Sequence, residues 1–410
     1  MSSKRVKLED IAELTVGFVG NMAKQYTKEG VKFLRSLNIK PYRIVEDDLR
    51  YVSKEFSKSL NKSVLHHNDV IIVRTGMPGT CCVVPKNYEG CNCADVVLVR
   101  PNLKLVNPHY LAAYINVFGR RQIENNKVGA IQKHFNVRSA AEMLIDLPDL
   151  ENQNKIAKVL CNLNEKIIKN EEINDYLEEM AKTIYNYWFV QFDFPDENGN
   201  PYKSSGGKMD FIKNFGLAPS NWKIGNLYDI AEFINGLACQ KYRPTENEAS
   251  LPVIKIKEMH DGISSDTERV KSSIPENNIV RTGDILFSWS ASLEVQRWTG
   301  ITGGLNQHIF KVIPKEKYSS SYVYHQLKSY VIKFIQMAEA RKTTMGHITR
   351  DHLKQSVIIL PPENIIRDFS NQVDNIHAEI CRINKECQKL SQLRDWILPM
   401  LMNSQATIED

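Results

Sequence analysis

Mostly apolar residues recur at alternating steps of four and three in two long stretches of the chain. In the first stretch these positions are Ile156, Leu160, Leu163, Ile167, Asn170, Asn174, Leu177, Ala181, Ile184 and Trp188. In the second they are Phe369, Val373, Ile376, Ile380, Ile383, Cys387, Leu390, Arg394, Ile397 and Leu401. This heptad spacing predicts two long helices that each bury a narrow stripe against another helix. One constant offset separates the paired positions, from Ile156 and Phe369 to Trp188 and Leu401, which indicates an internal duplication.

The segments before the two predicted helices repeat as well. Short apolar runs predict strands at residues 70–73, 81–84 and 94–100, followed by a helix at 109–117. Amphipathic segments at residues 6–14 and 222–231 open the two copies, and the later landmarks recur at offsets close to that of the helices. The pattern predicts two tandem domains of an α/β (α+β) fold, each followed by a long helix.

The repeat divides the chain into six predicted segments. These are a first domain at 1–146, a long helix at 147–192, a linker at 193–220, a second domain at 221–359, a second long helix at 360–403 and a tail at 404–410. The linker is rich in Gly, Pro, Ser and Asn, so we expect it to be the most flexible part.

The two long helices have two possible partners. A heptad pattern often signals a coiled coil between two chains, but a duplicated pattern favours pairing of the two copies within one chain. In an antiparallel intramolecular pair, Asn170 and Asn174 would lie at the level of Ile383 and Cys387. Polar residues at such central positions commonly fix the register at some cost in stability.

The net charge of +5 hides an uneven distribution. Residues 1–146 have 22 Lys and Arg against 14 Asp and Glu, a net charge of +8, and residues 196–360 have 21 against 17, a net charge of +4. The two helical segments, 147–195 and 361–410, have net charges of −4 and −3. The basic domains favour an anionic partner such as nucleic acid, and the acidic helices favour protein partners.

Basic residues in the segments between predicted strands are the candidates for contact with nucleic acid, although any one of them could be an ordinary solvated charge. They are Lys24, Arg35, Arg43, Arg74, Lys133, His134, Arg138, Lys241, Arg243, Lys257, Arg297, Arg341, Lys342, His347 and Arg350.

Motifs for catalysis or cofactor binding are missing from the sequence. It contains no Asn-Pro-Pro-aromatic tetrapeptide, no glycine-rich cofactor loop after a strand, no Walker-type phosphate loop and no nuclease-type carboxylate–lysine set. Cys81, Cys82, Cys91 and Cys93 with His66 and His67 fit no standard zinc spacing, so buried thiols are the better interpretation and no metal is expected. No apolar run approaches the length of a membrane span, and the cysteines lack the spacing of a secreted disulfide framework. We therefore expect a non-enzymatic, soluble, intracellular binding protein.

Several segments together resemble the DNA specificity subunits of type I restriction–modification systems. They are residues 147–153 (LPDLENQ), 188–193 (WFVQFD), 283–289 (GDILFSW), 305–312 (LNQHIFKV) and 393–399 (LRDWILP). The resemblance covers nearly the whole chain. The sequence PPENIIR at residues 361–367 departs from the glutamine-containing helix start of the first copy.

The resemblance implies two target-recognition domains, each recognising one half of a split, asymmetric site in double-stranded DNA. It also implies an antiparallel helix pair that sets the spacer and docks two modification subunits, with restriction subunits joining for cleavage. S-adenosylmethionine, ATP and Mg would then belong to partner subunits, and this chain would have no cofactor of its own. The alternative is a coiled-coil scaffold protein without DNA sequence specificity.

Overall fold

The computed structural model describes residues 3–119, 122–123, 135–213, 215–264, 266–290, 292–340, 348, 350–403 and 405–408. The chain forms two compact units that do not coincide with simple halves of the sequence. Unit 1 comprises Met1–Ile168 and Lys389–Asp410, and unit 2 comprises Lys169–Gln388. The end of the chain therefore completes the first unit.

Unit 1 contains twelve described strands and three described short helices. The strands are β1 (Lys4–Lys7), β2 (Ala12–Val16), β3 (Tyr26–Thr27), β4 (Val31–Leu34), β5 (Ile39–Lys40), β6 (Arg43–Ile44), β7 (Arg50–Val52), β8 (Val70–Val73), β9 (Cys81–Val83), β10 (Asn92–Cys93), β11 (Val96–Pro101) and β12 (Leu144–Leu147). The helices are α1 (Lys54–Ser59), α2 (Pro108–Tyr114) and α3 (Val137–Ala141). One sheet has the antiparallel order β2-β11-β8-β9, and a second has the mixed order β10-β4-β7-β3.

The central strands of unit 1 are buried on both faces. In β8, Val70 and Ile72 belong to one apolar core, while Ile71 and Val73 belong to another. Side chains alternate across a strand, so a continuous apolar run is needed where both faces are covered. This explains why the sequence pattern located β8 correctly.

Unit 2 repeats the same plan with twelve described strands. They are β13 (Met209–Ile212), β14 (Gly216–Pro219), β15 (Lys223–Asn226), β16 (Ala231–Asn235), β17 (Ser250–Ile254), β18 (Arg269–Lys271), β19 (Ile279–Val280), β20 (Ile285–Ser288), β21 (Glu294–Arg297), β22 (Gly303–Leu305), β23 (Ile309–Pro314) and β24 (Val357–Leu360). The order β16-β23-β20-β21 corresponds to β2-β11-β8-β9, and the parallel pair β17–β22 corresponds to β4–β10. The internal duplication is confirmed.

Two long helices follow the two copies. The first, α4 (Leu150–Tyr185), begins after Asp149, whose carboxylate accepts a hydrogen bond from the Asn152 amide at 2.8 Å, and continues as a π-helical turn at Asn186–Val190. Unit 2 adds α5 (Leu227–Ile230), α6 (Ile256–Asp261), α7 (Ser320–Ala340) and α8 (Arg350–Lys354) before the second long helix, α9 (Glu363–Met402). The two long helices pack on each other within both units.

Three expectations about local structure need correction. Residues 6–14 are not one amphipathic element but part of β1, a 3-10 turn at Leu8–Asp10 and part of β2, because β1 pairs with β12. The corresponding strand β15 pairs with β24, and β1 and β15 are slightly further apart in sequence than β12 and β24, so the repeat offset is not constant at this edge. The predicted linker has structure of its own, the antiparallel hairpin β13–β14.

Candidate nucleic-acid interface and docking faces

Three of the five exposed basic candidates occupy corresponding loops of the two units. Lys24 lies in the loop after β2, and Lys241 and Arg243 lie in the loop after β16, the equivalent strand of unit 2. All three side chains are exposed, as is Lys257 on α6. Arg138 on α3 is 89% exposed and forms an ion pair with Glu142 at 3.4 Å. These five cations are accessible to a phosphate backbone.

Other basic candidates have internal partners. Arg35 pairs with Asp48 at 2.8 Å, and Nε of Arg74 donates to the Phe135 carbonyl at 3.1 Å. Arg43 lies in β6 and is half-buried. The partners orient Arg35 and Arg74 toward the protein, which suits a role in shaping loops better than a contact with DNA.

Arg297 is the candidate whose position argues most clearly against DNA contact. Its guanidinium is largely buried, donates to Ser321 Oγ at 3.2 Å and lies 5.3 Å from the Tyr324 ring centre. Burial lowers the pKa of this guanidinium. The sequence could not show this, because a basic residue near a strand end looks the same whether it points inward or outward.

The remaining predicted DNA contacts fall outside what the structure describes. Lys133, His134, Arg341, Lys342 and His347 lie outside the described residues, and only the backbone of Arg350 is described. Their role in DNA contact stays a prediction.

The heptad positions of the two long helices are each buried or half-buried. In unit 2, Asn174 faces Asn384 and Tyr185 contacts Phe369, whose ring centre is 6.1 Å away. A later position on α4 thus meets an earlier one on α9, so the helices are antiparallel. In unit 1, Arg394 of α9 donates a hydrogen bond to Asn164 of α4 at 3.0 Å, and this contact fits the same antiparallel pairing.

The central asparagines are buried but incompletely bonded. Asn174 Nδ2 donates to Asn384 Oδ1 at 3.0 Å, so its partner is the residue next to the predicted Ile383. Within the described part of the chain, Asn174 Oδ1 and Asn170 Nδ2 have no hydrogen-bond partner. An unpaired buried polar atom costs about 1–3 kcal/mol.

We expect Asn170→Leu to stabilise unit 2, because it replaces an unpaired buried amide by apolar contact. The free energy of unfolding in urea should rise by about 1–2 kcal/mol. Asn174→Leu should raise the free energy of unfolding by less, since it removes the hydrogen bond to Asn384. The volume-conserving exchange Ile380→Leu at a neighbouring heptad position serves as the control, and a fall in stability of the Asn170 variant would contradict the expectation.

The outer faces of both long helices carry exposed apolar side chains at heptad spacing. On α4 and its π-helical extension these are Ile173, Tyr176, Met180, Tyr187 and Val190, with Tyr176 77% exposed. On α9 in unit 1 they are Leu393 and Trp396, the latter 63% exposed. Leu393 is the counterpart of Met180 at the offset of the helix repeat, so the two stripes occupy equivalent places. Exposed apolar stripes of this kind mark surfaces for partners.

Sequence analysis missed Gln153 as an internal anchor. Its buried side chain accepts a hydrogen bond from the Asn107 amide at 2.9 Å and donates to the carbonyls of Pro148 and Leu105 at 2.8 and 3.2 Å. The equivalent residue of α9 is Ile366, which is also buried. The departure at the second helix start therefore replaces internal hydrogen bonds by apolar packing.

A largely buried polar cluster between α7 and α9, with the exposed Asp374 at its edge, was also missed. This polar junction consists of Ser321 and His325 on α7, Asp374 and His377 on α9, and Arg297. The residue types match a hydrolase triad, but Asp374 accepts from Ser321 and not from a histidine, and Ser321 is only 1% exposed. The geometry therefore does not form an activated nucleophile. The sequence signal that could have located this cluster is a pair of polar residues, one helical turn apart, on the otherwise apolar face of each of the two helices.

The cysteines behave as buried side chains. Cys81, Cys82 and Cys93 are fully buried, and burial raises the pKa of each thiol. Across the described part of the chain no three His, Cys, Asp or Glu side chains come together as a metal site. None of the described helices is long and apolar enough to cross a membrane.

Comparison with known proteins gives consistent results. The family model "Type I restriction modification DNA specificity domain" matches residues 2–179 and 219–386. The chain is 22% identical over 367 residues to the type I restriction enzyme HindI specificity subunit of Haemophilus influenzae, covering 75% of this chain and 80% of that protein. It is also 22% identical over 284 residues to the MjaIX specificity subunit of Methanocaldococcus jannaschii, covering 66% and 62%. The crystal structure of a type I restriction–modification S subunit from M. genitalium aligns over 98% of this chain and 96% of that one, with a TM-score of 0.54 and 13% identity.

Proposed function

The chain belongs to the family of type I restriction–modification DNA specificity subunits, and from this premise we propose that each unit recognises one half of a bipartite, asymmetric DNA site. The family is non-catalytic. The observation that carries the proposal is the repeated unit, in which sheets of matching order, β2-β11-β8-β9 and β16-β23-β20-β21, place exposed cations in the loop after the first strand, β2 or β16. Two separate domains of one plan but different loop sequences suit two different half-sites.

The basic candidates for DNA contact fall into two groups according to the exposure of their side chains. Lys24, Arg138, Lys241, Arg243 and Lys257 are exposed and would neutralise phosphates, which positions a domain without specifying bases. Arg35 and Arg74 would shape the loops from which base contacts are made, through their bonds to Asp48 and Phe135. Base recognition would then fall to neighbouring loop residues, including the predicted contacts near 133–138 and 341–350.

The long helices would set the spacer between half-sites and dock two modification subunits. The support is the pair of equivalent apolar stripes on their outer faces, together with the acidic charge of the helical segments. Each modification subunit would supply S-adenosylmethionine and adenine methylation, and restriction subunits with ATP and Mg would join the complex. Contacts made by this chain would then decide where methylation occurs.

A domain exchange tests whether each unit recognises its own half-site. We expect cells that co-express this chain with its modification subunit to carry methylated adenines in two short motifs separated by a fixed unspecified spacer. Replacing residues 221–359 by the corresponding segment of the H. influenzae relative should change one half-site and leave the other unchanged. A truncation would be less clean, because residues 389–410 belong to unit 1.

The control is the reciprocal exchange of residues 1–146, which should change only the other half-site. If both halves change together, or neither does, the units do not recognise DNA independently. If the intact chain directs no methylation motif at all, the scaffold interpretation is favoured.

A further inference from the structure

The polar junction of unit 2 admits one pattern of hydrogen bonds. Ser321 has a single hydroxyl proton and donates it to Asp374. His377 Nδ1, which lies 2.8 Å from Ser321 Oγ, must then be the donor to that oxygen. His377 Nε2 is left as an acceptor, so His325 Nε2, 3.2 Å away, must donate to it. The planes of the two rings are 18° from parallel and their centres are 5.1 Å apart.

The same helix is tied to α4 by a second set of polar contacts. Tyr324 donates to the Glu178 carboxylate at 3.2 Å, and Lys328 reaches the same carboxylate at 3.1 Å. Tyr185 of α4 stacks on His325 with ring centres 5.6 Å apart. Hydrogen bonds are directional, so a shift of α7 by one residue would break all of these contacts, whereas an apolar contact would tolerate sliding.

The equivalent place in unit 1 is built differently. At the offset of the helix repeat, the counterparts of His325, Asp374 and His377 are Ala112, Cys161 and Asn164. They line a groove of about 380 Å³, which also involves Tyr42 and Leu160. Unit 1 therefore has open space where unit 2 has a filled polar cluster.

We propose that the polar junction fixes the orientation of the second target-recognition domain on the long helices and thereby selects the spacer length of the sites that are methylated. Ser321 and His377 are buried, whereas Asp374 is exposed and accepts a hydrogen bond from Ser321. All three are positioning residues, because they act only through the placement of α7. The inference rests on the proposed function, since it presupposes recognition of two half-sites. The counterpart residues of unit 1 cannot form the same hydrogen-bonded cluster, so unit 1 would not replace the junction if it were lost. Loss of the junction should therefore allow methylation of sites with other spacer lengths.

The test uses the complex of the full chain with its modification subunit and DNA substrates that carry both half-sites. The spacer is the wild-type length, one base pair shorter or one base pair longer, and the methylation rate is measured on each. We expect His377→Leu and Ser321→Ala to reduce the preference for the wild-type spacer by roughly tenfold, as the loss of one or two net hydrogen bonds would do. Both half-sites should still be required.

Two further variants separate positioning from general stability. Val373→Ala removes a fully buried apolar contact of α9 and should lower stability while leaving the spacer preference unchanged. His377→Gln keeps one donor and one acceptor and should restore much of the preference. If the wild-type protein and the His377→Leu and Ser321→Ala variants share one spacer profile, the inference is wrong and the proposed function stands. If the wild-type complex shows no requirement for two half-sites, both are wrong.

Discussion

Trp396→Glu should remove one of two modification subunits from the assembled complex, and Tyr176→Glu should remove the other. Each side chain is the most exposed aromatic of its stripe, and a large apolar residue at the centre of an interface commonly contributes about 2–4 kcal/mol. A carboxylate at that place adds a desolvation cost, so we expect affinity for that subunit to fall by roughly a hundredfold or more. The measurement is the mass of the complex by light scattering at micromolar concentration.

Controls distinguish docking from folding. Lys182→Glu makes a larger change of charge on α4, at an exposed position away from the apolar stripe, and should leave the mass unchanged. The double variant Tyr176→Glu, Trp396→Glu should bind no modification subunit while keeping the helical circular dichroism of the single variants. Full occupancy in the double variant would rule out these stripes as the docking faces.

Unit 2 should lose stability sharply as the pH falls from about 6.5 to 5. Burial first, and then nearby cations, lowers the pKa of His325 to about 3 and that of His377 to about 2. An unfolded histidine titrates near 6.5, so the unfolded state binds more protons below that pH and the folded state is disfavoured. The contribution of the neutral rings is complete above pH 6.5 and falls by about 1.4 kcal/mol per pH unit for each ring below it.

The expected loss is about 4 kcal/mol at pH 5 for the two rings together. It can be followed in urea by tryptophan fluorescence, because four of the five tryptophans, Trp188, Trp222, Trp289 and Trp298, belong to unit 2. His377→Gln removes one titrating ring and should remove about half of the pH dependence. An equal pH dependence in this variant and the wild type would show that other groups cause the loss.

The sequence alone determined the architecture of this protein. Heptad spacing located both long helices and their buried faces, because a helix that packs along its length must repeat its apolar residues every three or four positions. The constant offset between the two heptad stretches revealed the duplication, and continuous apolar runs such as Val70–Val73 located strands buried on both faces. These features depend only on local geometry and periodic burial.

The tertiary structure decided which polar residues face inward. Arg297 and Lys24 are both basic residues near strand ends, yet one lies in the interior beside Tyr324 and the other is exposed. Gln153, His325 and His377 each form a hydrogen bond with a residue far away in sequence. No periodic pattern encodes such contacts, because they arise when helices from distant parts of the chain pack together.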